Sequence, residues 1–140
     1  MTTARWEHFE HQADIGLRGF GPTLADAFGQ TALALTAVLI NPEDVRPEQP
    51  VAIRCSAPDV ESLLVDWLNA LIYEMATRRM LFCRFDVRLE GCDLQAAAWG
   101  ETLQPERHRP AVEVKAATYH ALAVRRQEDD GWMVQCVVDV

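Results

Sequence analysis

Basic residues are scarce in this sequence: 13 Lys and Arg stand against 21 Asp and Glu, a net charge of −8 over 140 residues. A field of that sign repels phosphate, so direct nucleic-acid binding by backbone neutralisation is not expected. No apolar run approaches the roughly 20 residues of a membrane helix, and no apolar stretch follows the start Met1-Thr2-Thr3-Ala4-Arg5. The protein is therefore expected in the cytoplasm. C-x-x-C pairs are absent too. Cys55, Cys83, Cys92 and Cys136 are widely and irregularly spaced, which argues against a zinc knuckle or dithiol centre and for reduced, mostly buried thiols. There is no G-x-S-x-G elbow, no Gly-rich phosphate loop and no Cys and His constellation. Catalysis by this chain alone is not expected.

What is present is the ordinary balance of a folding domain, 49% hydrophobic and 24% charged residues. The length suits one domain, 1–140, with a core that needs no disulfide or structural metal. Trp6 to Phe9 and Ile15 to Phe20 alternate like short strands, placing Asp14 at the mouth of the second. Thr23 is placed to cap a helix, with Asp26 three residues on able to return the hydrogen bond. Leu24, Ala27, Phe28, Thr31, Leu35, Val38 and Leu39 then recur at helical spacing until Asn41-Pro42 ends the run.

Pro42 to Pro50 reads as a loop, and Val51 to Cys55 as a strand. Ser56-Ala57-Pro58-Asp59 offers a second capping signal, with Ser56 as cap, before a helix to about Thr77. Its apolar stripe is Val60, Leu63, Leu64, Trp67, Leu68, Leu71 and Ile72, which spacing explains as core without a ligand pocket. Strand-like text follows over Leu81 to Leu89, Leu94 to Glu101, Val112 to Val124 and Trp132 to the end, with Asp130-Gly131 as a hairpin turn. The fold class expected is α+β: a single domain with two helices packed on a largely antiparallel sheet system.

Several stretches, in order, carry a resemblance. His11-Gln12-Ala13-Asp14-Ile15-Gly16, Thr23 to Phe28, Glu61 to Asn69, Gly100-Glu101, Glu106-Arg107-His108, Val114 to His120 and the terminal Val138-Asp139-Val140 resemble archeases, and together they span nearly the whole chain. The resemblance implies an accessory protein rather than a stand-alone enzyme. It implies a partner, the RtcB-type RNA ligase of tRNA splicing and RNA repair, whose guanylylation and multiple turnover such proteins promote.

It also implies a metal site formed by Asp14, Asp139 and the terminal carboxylate of Val140. Such a set of hard oxygen donors suits a divalent cation, Ca²⁺ first, with Mg²⁺ or Mn²⁺ possible. Taken on the residues alone, Asp14 reads first as a turn cap and Asp139 as a solvated terminal residue. Three carboxylates around one divalent ion leave excess negative charge that attracts a lysine or a basic partner surface. Lys115, in a Val- and Ala-rich run, is the candidate lysine, with guarding of a strand edge as the other reading. His11 and His120 match the pattern as structural or site residues. Glu101, Arg107 and His108 read either as contacts to the partner or as a solvated charge cluster. A general chaperone or adaptor, and less readily a metal-dependent phosphoester hydrolase, are the alternative functions.

Overall fold

The structure, a computed structural model, describes residues 1–140. Its elements run β1 (Arg5–His11), β2 (Asp14–Gly21), α1 (Leu24–Leu39), a 3-10 turn (Pro42–Asp44), β3 (Gln49–Ser56), α2 (Val60–Arg78), β4 (Met80–Glu90), β5 (Asp93–Thr102), the one-turn α3 (Pro105–His108), β6 (Ala116–Ala117), β7 (Ala123–Arg126) and β8 (Trp132–Asp139). They form an antiparallel five-stranded sheet ordered β1-β2-β8-β6, with β7 also on β8, and an antiparallel three-stranded sheet ordered β3-β5-β4. No helix is long and apolar enough to cross a membrane.

Both long helices touch both sheets, which makes one core of the two. Helix α1 begins as its sequence dictates: Thr23 accepts from the Asp26 N–H at 3.1 Å, satisfying one of the free donors at a helix start. It lies so close to β2 that a Cβ on Gly19 would sit 2.4 Å from the Ala27 carbonyl oxygen. The second cap differs from expectation. Asp59, not Ser56, caps α2 by accepting from the Ser62 N–H at 2.7 Å, because Ser56 is still paired with Asp93 at the end of β3.

On α2 the buried residues are Leu63, Leu64, Val65, Trp67, Leu68 and Leu71, whereas Val60 and Ile72 reach only the margin of the core. Trp67 is fully buried, and its indole N–H donates to the Phe28 carbonyl at 3.1 Å, tying α2 to α1. This confirms its core role and satisfies the one polar group the ring brings inside. All four cysteines are free, but only Cys136 is buried and the other three are half-buried.

The expected strand Val112 to Val124 is not continuous. Its two ends pair with the same neighbour, Ala116–Ala117 with Asp139–Val138 and Ala123–Arg126 with Gln135–Trp132. Between them Thr118–Leu122 loops out opposite only two residues of β8, with Ala121 at φ 51°. Residues 112–115 precede the pairing altogether. A strand-like composition does not reveal such an insertion, because β propensity reports packing rather than register.

Candidate functional site

Strand register builds the site. The β2–β8 ladder ends at Ile15 opposite Val138, so the next residues, Asp14 and Asp139, face each other across the sheet end. On the other side of Asp14 stands His11, and on the other side of Asp139 stands Ala116. Directly opposed residues in antiparallel strands share a face. His11, Asp14 and Asp139 therefore form one cross-strand row. Val140 follows Asp139, and its side chain packs against the core, which holds the chain terminus at the same end.

The chemistry of this donor set fits a hard divalent cation: two side-chain carboxylates and the terminal carboxylate, all oxygen donors. No three His, Cys, Asp or Glu side chains gather closely enough to hold a metal by themselves. The Nδ1 atom of His11 is buried without a hydrogen-bond partner, the one such side-chain atom in the protein, and it belongs to this row. The His11 and His120 rings lie 5.8 Å apart between centroids, so the loop inserted after β6 comes back to the β1–β2 turn.

Lys115, the only lysine in the chain, stands immediately before β6. Its backbone N–H donates to the Asp139 carbonyl at 2.9 Å, and its side chain is exposed. The backbone of the lysine thus lies at the same sheet end as the two aspartates. The residue that secures this strand comes from α2. Asn69 of α2 accepts from the Ala117 N–H at 2.8 Å and faces the Ala117 carbonyl with its amide nitrogen at 3.5 Å.

Glu101 and His108 lie in a separate and buried cluster. Glu101 is 2% exposed inside β5 and His108 is 5% exposed. One Glu101 oxygen accepts from the Arg107 guanidinium; the other accepts from the Arg46 N–H at 2.6 Å and lies 3.2 Å from His108 Nε2. The Gln104 N–H donates to His108 Nδ1 at 2.8 Å, which leaves the ring proton on Nε2 to be donated to Glu101. Arg107 also donates to the Asp44 carbonyl at 3.3 Å. Burial pushes the Glu101 carboxyl up, but the Arg46, His108 and Arg107 hydrogen bonds and the Arg107 charge outweigh it and hold the group below its usual range. Glu101 and His108 are neither a solvated cluster nor a free contact surface, whereas Arg107 is exposed. One buried carboxylate joins the end of β5, the 41–48 loop and α3, because an anion removed from water must be paired to be tolerated.

Cys136 is equally internal. Burial pushes its thiol up to about 11, and the sulfur donates to the Thr118 carbonyl at 3.0 Å. It is an inert packing residue rather than a nucleophile.

Known proteins resemble this chain over nearly its whole length. A protein named archease from Pyrococcus furiosus is 41% identical over 140 residues, covering 97% of this chain and 99% of the relative. The archease of Methanosarcina acetivorans is 38% identical over 141 residues, covering 97% and 96%. The solution structure of Methanobacterium thermoautotrophicum protein 1598 superposes with a TM-score of 0.84 at 30% identity, covering 96% of this chain and 98% of that one. A Thermotoga maritima structure named as an archease and possible chaperone has a TM-score of 0.59 at 20% identity, covering 96% of each chain, a likeness of fold alone. With the model of the archease protein family matching residues 6–140, this chain belongs to the archease family.

Proposed function

We propose that this protein is a non-catalytic activator of an RtcB-type RNA ligase, promoting its guanylylation and multiple turnover through the carboxylate set at the sheet end. The observation that carries the reading is the register that brings Asp14 beside Asp139 and the chain terminus, with Lys115 bonded alongside. Asp14, Asp139 and the Val140 carboxylate would hold a divalent ion, Ca²⁺ by preference for many oxygen donors, or Mg²⁺ or Mn²⁺. The ion's chemistry is positive charge offered to phosphate oxygens. This chain's part is to hold that charge on rigid strands and to add the Lys115 ammonium beside it.

Partner choice follows the same logic. The acidic chain disfavours RNA as its own direct ligand, and a ligase that itself grips RNA presents the basic surface that this chain complements. The test compares untagged protein with Asp14→Ala and Asp139→Ala in guanylylation and multiple-turnover joining by the matching ligase. We expect both variants to fold and to lose at least tenfold of the activation. Full activation by either variant would remove the carboxylates from the mechanism, and none by the parent protein would remove the ligase as partner.

The name of the Thermotoga relative, a possible chaperone, supports a second reading as an adaptor for other proteins. Suppression of aggregation that survives Asp14→Ala would favour it.

A further inference from the structure

Strand β6 should be weak. It contains two residues, Ala116 and Ala117, and pairs with β8 only through them. Two alanines supply little cross-strand side-chain contact, and so short an edge pairing is marginal in water. Yet Lys115 stands immediately before it, and its partner residues are Asp139 and Val138, the last two before the terminus.

The Ala117 N–H and C=O point away from β8. On an edge strand these groups would face water or another strand. Here the carboxamide of Asn69 meets both, its oxygen 2.8 Å from the Ala117 nitrogen and its nitrogen 3.5 Å from the Ala117 oxygen. A carboxamide has the same donor and acceptor pair as a peptide unit, so Asn69 takes the place of a neighbouring strand. Its position on α2 is rigid, since Leu68 and Leu71 beside it are buried in the core. The N–H groups of Lys115 and Thr118 on the opposite edge of the segment then reach the Asp139 and Val137 carbonyls, each at 2.9 Å.

We infer that Asn69 is a positioning residue: by pinning Ala117 it holds Lys115 beside Asp139 and keeps the last two residues of the chain ordered for ion binding. The second half rests on the carboxylate reading above; the first does not. Terminal residues fray unless tied down, and a donor set with two of its three members at a chain end loses affinity when the strand beside it opens.

The experiment uses the full-length untagged protein and three readouts. Native-state amide exchange follows Lys115, Ala117 and Thr118; the ε-methylene NMR signal of Lys115 is unambiguous because no other lysine is present; and Ca²⁺ affinity is measured by calorimetry. In Asn69→Leu we expect exchange at the three amides at least tenfold faster, with the β2–β8 amides unchanged, a shifted Lys115 signal, and Ca²⁺ binding weakened at least threefold. Lys115→Gln, by contrast, should not weaken Ca²⁺ binding, since it removes a positive charge and leaves β6 pinned.

If Asn69→Leu slackens the whole fold, Asn69→Asp decides. It keeps an acceptor for the Ala117 N–H, loses the donor, and should accelerate the same three amides by a smaller factor. Parent-like exchange at Lys115 in the variant that folds overturns the inference. If the parent binds no Ca²⁺, the carboxylate reading fails, and the exchange data alone decide whether Asn69 positions Lys115.

Discussion

Glu101 and the Asp14–Asp139 pair are carboxylates at the ends of strands in one small domain, set in opposite surroundings. Glu101 is buried, and both of its oxygens are engaged by three donors from two segments, the 41–48 loop and α3. Asp14 and Asp139 are partly exposed, make no ion pair within the chain, and stand beside a third carboxylate and a histidine nitrogen without a partner. A carboxylate whose demands are all met inside the protein contributes to holding it together. Carboxylates without internal partners are free to take one from outside, as the proposed ion site requires.

The largest expected effect breaks the satisfied side. Glu101→Ala orphans the Arg46 N–H and the His108 ring donor and strips Arg107 of its partner, which should cost about 3 kcal/mol of stability. Urea denaturation reads this directly, and a loss under about 1 kcal/mol would show that the cluster is incidental. The same carboxylate sets a pH dependence. Its folded value is held low, so its contribution is complete above the ordinary glutamate value of about 4.3 and is lost as pH falls through the folded value. The stability gap between the parent and Glu101→Gln should therefore narrow on acidification below about pH 4. A gap constant from pH 7 to 3 would contradict that linkage.

The unsatisfied side should behave oppositely. Ca²⁺ at a hundred times its Kd should stabilise the parent by about 2.7 kcal/mol through binding to the folded state alone. Thermal denaturation of Asp14→Asn should show no such rise and, without the ion, a stability equal to or slightly above the parent's. A variant that keeps the full Ca²⁺ response would erase the contrast between the two regions. The smallest change is a glycine added after Val140, which turns the terminal carboxylate into a peptide. It should leave the ion-free melting temperature unchanged and reduce the Ca²⁺ response, and an undiminished response would drop the terminus from the donor set.

Much of the site was legible along the chain. Asp14 at a strand mouth and Asp139 beside the terminus follow from alternation and position, and the archease resemblance supplied the reason to join them. Asn69 closes the archease-like stretch Glu61 to Asn69, but nothing in that stretch shows its role. A polar residue on the flank of a helix is ordinary, and only the docking of α2 against β6 gives it a strand to replace. In the sequence Glu101, Arg107 and His108 read as contacts or solvated charges, because a strand end followed by a Pro-Glu-Arg-His turn is polar text. The burial of Glu101 and His108 depends on contacts with the 41–48 loop, some 55 residues away in sequence.

The sequence by itself determined the two long helices, the Thr23 cap and apolar stripes, most strands, and the acidic balance. These rest on interactions within a few residues, or on composition, and so are written locally. Tertiary structure alone decided that Val112 to Val124 breaks around a five-residue insertion, that Asp59 rather than Ser56 caps α2, and that one carboxylate is buried while two others gather at an open end. Those outcomes turn on which strand lies beside which and on what covers a side chain, quantities that exist only after residues far apart have met.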